Sequence, residues 1–340
     1  MLAIFDERQL LHRPLTRIAG GELRPSPEQP ERIAALLSGL EAAGIAVQPP
    51  HERSFEIIAA VHDRDYLTFL QTGFQAWREL PGAGPELRSS VHPSRHMSRL
   101  PRDLLGRAGF YQADASCVLV EGTWEAARAS ANTAVDAMTR VLEGERSAYA
   151  LCRPPGHHAY RDQAGGFCYL NNTAIAANLA ASQEARAAIV HVDVHHGNGT
   201  QALFYNRRDV LTVSVHGDPA HLYPYYAGYS DETGAGHGEG HNLNLPVPLM
   251  SGTEAYLAAV TKACEAVRQF SPDILIIALG LDASKDDPFA CMAVDETGFR
   301  RMGEMLAALT CPTLIVQEGG YPSPTLGSSL AAFLGGFAGR

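Results

Sequence analysis

The sequence predicts an α/β fold in which a multi-stranded, mainly parallel sheet lies between helices. Short runs rich in Val, Ile and Leu have the length of strands and are apolar on both faces, as strands buried under helices are. These runs cover residues 2–5, 148–151, 187–194, 210–215, 273–279 and 313–316. Between them, Ala and Leu recur at helical spacing at residues 31–43, 123–142, 174–181, 251–270 and 296–309. Strands that alternate with helices indicate βαβ units, and therefore a parallel sheet.

We expect residues 1–340 to form a single catalytic domain with an insertion loop at 80–107. That loop interrupts the alternation of strands and helices. It contains several prolines and glycines, two histidines and five arginines. A loop of this length is either functional, for example as an interaction arm, or a solvated excursion, and the sequence leaves both open. A second loop, 217–241, is rich in Gly, Tyr and His, and could line a pocket.

The composition is that of a globular protein, with 46% hydrophobic and 19% charged residues. The net charge of −10 argues against general binding to nucleic acid or to an anionic membrane. We find no signal-peptide pattern and no apolar run long enough to span a bilayer, and expect a cytoplasmic protein. The six cysteines form no C-x-x-C pair, which favours free thiols.

Candidate metal ligands lie at the ends of two predicted strands, where parallel sheets bind their ligands. Asp193 and His195 are two residues apart on one strand and therefore point to the same side. Asp282 follows another strand. An Asp after a strand is ordinarily a turn or helix cap, but the three together favour a zinc site with an open position for water. A metal there would lower the pKa of that water towards neutrality.

Two further strand ends carry residues suited to hydrolysis. His157 and His158 follow a Pro-Pro-Gly turn, and one neutral imidazole could take a proton from water. A surface histidine pair is the alternative. Tyr321 ends the segment Glu-Gly-Gly-Tyr, and its hydroxyl could hydrogen-bond an oxyanion as it develops. Metal, base and oxyanion donor together predict metal-assisted hydrolysis of an amide or ester.

These motifs resemble the zinc-dependent deacetylase family, which includes histone deacetylases and bacterial acetylpolyamine amidohydrolases. The matching segments are 153–159 (RPPGHHA), 166–172 (GFCYLNN), 193–200 (DVHHGNGT), 282–288 and 318–321 (EGGY). They occur in family order over nearly the whole chain. Chain length and the 80–107 insertion look closest to the acetylpolyamine amidohydrolase branch. The resemblance implies an arginase/deacetylase type of fold and a homodimer.

The resemblance also implies a role for each matching residue. Asp193, His195 and Asp282 would bind one zinc ion per chain, with His158 as the general base of the His157–His158 pair and Tyr321 as the oxyanion donor. The residues implied around the substrate are Gly166, Phe167 and Tyr223, which would form a narrow tunnel, and Asn198, which would orient His158. Without the resemblance, Phe167 is equally well read as a core aromatic.

Two departures from the family pattern stand out. His191 occupies the place of an Asp that, in relatives, hydrogen-bonds the first histidine of the pair and helps to hold a potassium ion. The sequence therefore leaves open which group hydrogen-bonds His157 and whether the protein binds a structural K⁺. Polyamine-selecting relatives also place acidic side chains at the pocket mouth, whereas the 80–107 loop has only Glu86 and Asp103 as acids. A cationic polyamine would be disfavoured beside the arginines of that loop unless Asp103, Asp114 or Glu22 turns inward.

The sequence thus predicts a zinc-dependent amidohydrolase that removes acetyl or short acyl groups from amines such as acetylpolyamines or acetyl-lysine. Its partners would be small acylated amines, with no nucleic acid and no membrane. One alternative is an arginase-like ureohydrolase with two manganese ions, but Gly197 occupies the position where that chemistry needs another Asp. The other is a catalytically weakened acyl-amine binding module, suggested by His191.

Overall fold

A parallel β-sheet runs through the protein, whose computed structural model describes residues 1–339. The strands in this range are β1 (Leu2–Ile4), β2 (Thr16–Ala19), β3 (Glu22–Pro25), β4 (Val47–Gln48), β5 (Ser147–Ala150), β6 (Ala187–His191), β7 (Val210–Gly217), β8 (Asn242–Val247), β9 (Ile274–Leu279) and β10 (Thr313–Gln317). Eight of them form one sheet in the order β4-β1-β5-β10-β9-β6-β7-β8, with every neighbouring pair parallel. The other two, β2 and β3, pair as an antiparallel hairpin.

Helices cover both faces of this sheet. They are α1 (Glu31–Ala42), α2 (Phe55–Ala59), α3 (Arg64–Arg78), α4 (Leu104–Tyr111), α5 (Thr123–Leu142), α6 (Asn172–Ser182), α7 (Asn198–Phe204), α8 (Thr253–Phe270), α9 (Glu296–Ala307) and α10 (Leu326–Phe337). Along β9, Leu275 and Ile277 pack with α1, α8, α9 and α10 on one face, while Ile276 packs with α3, α5 and α6 on the other. This double burial explains the continuous apolar runs, and the predicted α/β fold is confirmed.

Several elements differ from the sequence prediction. The predicted strand 187–194 ends at His191, after which the chain turns towards the candidate metal ligands. β8 was not predicted because it is an edge strand whose sequence, NLNLPV, alternates polar and apolar residues. The β2–β3 hairpin was missed because its exposed strands carry few apolar residues.

The insertion loop is only partly irregular. Its last residues, 104–107, begin α4, which is capped by the side chain of Asp103. Leu87 pairs with Leu119, so the loop is also tied to the body of the protein. All six cysteines are free, as predicted. None of the helices that the structure describes is both long and apolar enough to cross a membrane.

Candidate active site

Asp193, His195 and Asp282 converge at the carboxyl ends of β6 and β9. These strands are neighbours, with His191 opposite Ala278, so the residues that follow them leave the sheet side by side. The Nδ1 atom of His195 lies 3.2 Å from Oδ1 of Asp193 and 3.0 Å from Oδ2 of Asp282. All three residues are buried, and their nearest ligand atoms lie within 4.8 Å of one another. The structure therefore brings the three predicted ligands together.

Backbone groups fix both carboxylates. Asp193 accepts hydrogen bonds from the N–H groups of Gly319 (2.7 Å) and His195 (2.8 Å), and Asp282 accepts one from Val194 (3.0 Å). A Cβ atom on Gly319 would collide with both carboxylates, so this position needs glycine. The donor atoms are thus preorganised by the loops after β6, β9 and β10.

The charges of this cluster fit a divalent cation. Burial and the nearby Asp193 carboxylate raise the pKa of Asp282 to about 6. Burial lowers the pKa of His195, but the hydrogen bonds to Asp193 and Asp282 outweigh it and raise that pKa to about 10. Two buried carboxylates therefore attract positive charge to the point between them. Two carboxylate oxygens and an imidazole nitrogen are a donor set that zinc and similar divalent metals accept.

His158 is held as a proton acceptor beside this cluster. Its Nδ1 atom lies 2.6 Å from the amide oxygen of Asn198, whose Nδ2 donates to the Tyr160 hydroxyl (2.7 Å). An amide oxygen only accepts, so Nδ1 carries the proton and Nε2 keeps a free lone pair. Burial, assisted by the nearby His195, lowers the pKa of His158 to about 4, which keeps the ring neutral at neutral pH.

His157 contacts His158 but lacks the carboxylate partner expected from relatives. The two ring centroids are 3.9 Å apart, and Nε2 of His157 lies 3.8 Å from Oδ1 of Asp193. The His191 ring also stacks against His157, with centroids 5.8 Å apart. Among residues 1–339, neither ring nitrogen of His191 nor Nδ1 of His157 has a hydrogen-bond partner. Burial lowers the pKa of His191 to about 3, so a neutral ring stands where a potassium site would need carboxylate oxygen. His191 therefore does not supply the oxygen ligand that a K⁺ site at this position needs.

Tyr321 is placed by a buried arginine. Nε and Nη2 of Arg32 donate to the carbonyl oxygens of Gly320 and Glu318, each at 2.6 Å, and its guanidinium lies 4.9 Å from the centre of the Tyr321 ring. The backbone N–H of Tyr321 donates to Asp287 at 2.9 Å. The loop after β10 is therefore held from both sides, and only 4% of Tyr321 is exposed.

A cavity of about 370 Å³ opens onto these groups. His158, His195 and Tyr321 line it, together with the predicted substrate residues Gly166, Phe167 and Tyr223. The Tyr223 ring meets the edge of His158 at 4.9 Å, and the Phe167 ring meets Tyr321 at 5.8 Å. Six of the predicted site residues therefore line one cavity, whereas Asp193, Asp282, His157, Asn198 and His191 are not among its lining residues.

Two of the cavity-lining residues depend on unusual backbone geometry. Gly166 has φ = 52°, and a Cβ atom there would collide with the His158 ring. Phe167 has φ = 70°, a value that non-glycine residues rarely adopt and that tends to occur at functional sites. Asp114 links the two sides of the cavity. Its Oδ2 accepts hydrogen bonds from the Tyr223 hydroxyl (2.7 Å) and from the Gly166 N–H (2.9 Å).

Sequence reasoning missed several residues of the cavity wall, among them Phe289 and Arg17. Phe289 packs its ring against His195 (5.6 Å) and Tyr321 (5.0 Å). Arg17, from β2, also lines the cavity, and the 217–241 loop lines it through Leu222, Tyr223 and Tyr225, as the sequence indicated. No motif near Arg17 predicts that it lines the cavity, because the β2–β3 hairpin reaches the site only through tertiary packing. None of the arginines of the 80–107 loop lines this cavity as the structure describes it.

A second group with metal-ligand chemistry lies deeper, at His157, Cys168 and Glu318. The Glu318 carboxylate accepts from the N–H groups of Gly156 (2.6 Å) and His157 (3.1 Å) and from the Thr173 hydroxyl (2.6 Å). Burial raises the pKa of Glu318 to about 7 and that of the Cys168 thiol far above its ordinary value. This group is therefore a structural clamp between β10 and the histidine loop.

The fold and the site together define a histone deacetylase-type α/β protein. The family described as "Histone deacetylase domain" matches residues 26–337, and the chain belongs to this family. Membership implies a divalent metal, for which the Asp193–His195–Asp282 group supplies candidate ligands.

Individual relatives match over nearly the whole chain. An acetylpolyamine amidohydrolase from Burkholderia pseudomallei is 46% identical over 99% of this chain and 98% of its own length. Acetylpolyamine amidohydrolase 1 from Pseudomonas aeruginosa is 41% identical over 100% of this chain and 99% of its own. A crystal structure of acetylpolyamine aminohydrolase from Burkholderia pseudomallei superposes with a TM-score of 0.96, at 46% identity, covering 99% of this chain and 98% of that one.

Proposed function

We propose that this protein is a zinc-dependent deacetylase that hydrolyses acetyl or other short-acyl amides of amines. One observation carries the proposal: His195 of the Asp193–His195–Asp282 cluster, a neutral His158 and Tyr321 line the same cavity. The names of the relatives, which describe amidohydrolases of acetylated polyamines, support the same reaction.

In the proposed reaction, zinc held by Asp193, His195 and Asp282 would polarise the amide carbonyl and acidify water. His158 accepts the water proton at Nε2, while Asn198 keeps the ring in the required tautomer. Tyr321 donates its hydroxyl proton in a hydrogen bond to the oxyanion as charge develops there. The histidine pair then delivers a proton to the leaving amine, so that it departs neutral.

The cavity walls favour a slender amide. The aromatic rings of Phe167, Tyr223 and Phe289 border the space in front of the cluster, and aromatic walls of this kind pack against the methylene chain of a linear amine. They also exclude water from the reacting carbonyl, which strengthens the hydrogen bond from Tyr321. The acyl group would lie at the closed end, beside His195.

A substrate panel tests the proposal. Zinc-loaded protein is assayed for acetate release from acetylated diamines, acetyl-lysine peptides and neutral alkyl acetamides, and its metal content is measured. The proposal predicts acetate from at least one class and one metal ion per chain. Binding of these amides without any acetate release would instead support the binding module. Two ions per chain and release of urea from a guanidine would support the ureohydrolase.

We also propose that the 80–107 segment mediates a homodimer. The segment leaves apolar side chains exposed to solvent, which is unfavourable. They include Val91 (67% exposed), Met97 (59%) and Leu105 (46%). All three line a cavity of about 710 Å³ that is formed mostly by the same segment and that a second copy could fill. The cytoplasmic location expected from the sequence stays a prediction.

A further inference from the structure

Arg17 stands out among the residues that line the metal-site cavity. Within residues 1–339, the lining contains no other Lys or Arg and no Asp or Glu. The guanidinium of Arg17 lies 4.7 Å from the centre of the Phe289 ring, whose edges contact His195 and Tyr321. A single aromatic ring therefore separates this cation from the candidate metal ligand and from the oxyanion donor.

Within residues 1–339, the Arg17 guanidinium contacts the Phe289 ring rather than a hydrogen-bond acceptor or an acid. In the described part of the chain it forms no ion pair and no side-chain hydrogen bond, and its Nε atom is buried without an acceptor. Two other part-buried arginines behave differently: Arg53 binds Asp136 at 2.6 Å and Arg88 binds Glu86 at 3.2 Å. A buried donor that lacks an acceptor is costly, so the Arg17 donors remain available to a ligand.

The backbone next to Arg17 is fixed from both sides. Glu86 accepts hydrogen bonds from the N–H groups of Leu15 (2.7 Å) and Thr16 (3.2 Å), while Arg88 donates to the carbonyl oxygen of Thr16 (2.7 Å). The 80–107 loop thus anchors β2 one residue before Arg17. A side chain held in this way loses little conformational freedom when it binds an anion.

The acids that could neutralise Arg17 are engaged elsewhere. Glu86 is used by the β2 backbone and by Arg88. Asp114 accepts from Tyr223, Gly166 and the Ser116 N–H (2.7 Å), and exposed Glu22 pairs with Arg24 at 2.6 Å. The positive charge in the cavity is therefore not cancelled by the surrounding side chains.

We infer that Arg17 is a specificity residue and that the site selects acylated amines that carry a carboxylate at the end remote from the acyl group. This inference rests on the proposed deacetylase function and names its substrate class. A guanidinium matches a carboxylate with two parallel hydrogen bonds, whereas an ammonium at the same place meets like charge in a partly desolvated space. A cavity of about 370 Å³ suits such a small linear molecule.

Three substrates of equal chain length test this inference on the zinc-loaded protein. Each is an N-acetylated alkylamine, and the far end carries a carboxylate, a methyl group or an ammonium. The wild type should show the highest kcat/KM for the carboxylate and the lowest for the ammonium. Arg17→Gln should lower kcat/KM for the carboxylate roughly 10- to 100-fold relative to the methyl compound, the effect of one charge-assisted contact.

A charge-reversal variant and a control variant test the same inference. Arg17→Glu should reverse the order, so that the ammonium substrate becomes preferred to the carboxylate. Arg13→Gln removes the same charge at an exposed position outside the cavity lining and should leave the ratios of the three substrates unchanged. The inference is overturned if the wild type prefers the ammonium substrate, or if Arg17→Gln leaves all three ratios as they were.

Failure of the inference can be told apart from failure of the proposed function. Hydrolysis of the methyl compound shows that the deacetylase activity stands, whatever Arg17 does. If none of the three substrates releases acetate, the proposed function fails and calorimetric binding of the same compounds decides the role of Arg17. Tighter binding of the carboxylate compound to the wild type than to Arg17→Gln supports the inference, and equal binding to both overturns it.

Discussion

Tyr321 is held in position by groups other than its own hydroxyl. Arg32 stacks on its ring and Asp287 binds its backbone, so removal of the hydroxyl leaves the loop in place. We therefore expect Tyr321→Phe to lower kcat on an acetylated amine by roughly 10²- to 10³-fold, the loss expected for one oxyanion donor. Metal content should stay at the wild-type level.

The matched control for that substitution is Tyr226→Phe, because Tyr226 is 93% exposed and lies outside the cavity lining. It should retain the wild-type kcat. Undiminished turnover by Tyr321→Phe would show that the hydroxyl does not stabilise the transition state.

Asp282 is predicted to be essential for binding the metal. Asp282→Asn removes one of two buried carboxylates and weakens the attraction for a cation, so the variant should bind zinc substoichiometrically and release little acetate. Asp286→Asn is the control, since Asp286 is exposed and accepts a hydrogen bond from Thr325 (3.1 Å). Full zinc occupancy in Asp282→Asn, measured by elemental analysis, would exclude Asp282 as a ligand.

At the scale of single residues, the sequence could predict positions that follow from strand geometry. The sequence predicts that Asp193 and His195 share one side of a strand, but β6 ends at His191, and they meet in the turn that follows, where Asp193 accepts a hydrogen bond from the His195 N–H. Asp282 joins them because β6 and β9 are neighbours. Arg17 and Phe289 could not be predicted in this way. Their places in the wall depend on how a hairpin and a loop pack across more than 100 residues of chain.

At the scale of elements, a buried ionic cluster joins α1 to the loops that carry the site. Glu28 is fully buried and pairs with Arg153 (2.8 Å) and Arg32 (3.2 Å). Arg153 precedes the histidine pair, and Arg32 supports the Tyr321 loop through Gly320. Glu28 therefore couples the positions of the candidate base and of the oxyanion donor.

Removal of this charge should destabilise the fold. Glu28→Gln leaves two buried arginines short of a counter-charge, and we expect a loss of about 3–5 kcal/mol in the free energy of unfolding at pH 7. Denaturant unfolding measures it, with Glu31→Gln, an exposed neighbour on α1, as the control. A loss below 1 kcal/mol, roughly that of an exposed pair, would contradict a stabilising role for the Glu28 ionic cluster.

The same cluster predicts how stability changes with pH. Burial acts to raise the pKa of Glu28, but Arg153 and Arg32 outweigh it and hold that pKa below its ordinary value of 4.5. The folded state therefore favours the charged form, so the stabilisation is fully present above pH 4.5 and is lost as the pH falls below it. The difference in stability between the wild type and Glu28→Gln should shrink as the pH falls from 5 towards 3. A difference that is constant with pH would assign the effect to packing.

The elements of the fold were predictable wherever strands are buried on both faces, as in β6 and β9, because such strands read as continuous apolar runs. The edge strand β8 and the β2–β3 hairpin carry polar or exposed residues, and their pairing is decided by contacts far apart in the chain. Sequence reasoning therefore found the scaffold of the site and missed the hairpin that supplies Arg17.

At the scale of the whole molecule, the proposed homodimer makes a separate prediction. A double substitution, Val91→Asp and Met97→Asp, places charges on the exposed apolar face of the 80–107 segment and should shift the mass in light scattering from dimer to monomer. Met250→Asp, at a residue that is 65% exposed elsewhere, should leave the mass unchanged. A monomeric wild type, or a doubly substituted variant that stays dimeric, would remove this segment from the interface.

The most direct test of the metal-dependent hydrolysis is a titration of metal-free protein with zinc, in which acetate release from an N-acetylated alkylamine is followed. We predict that the rate rises in proportion to bound zinc and reaches its plateau at one ion per chain, while Asp282→Asn stays near the background rate. No acetate from fully zinc-loaded wild type, or an equal rate without any divalent metal, would contradict the account.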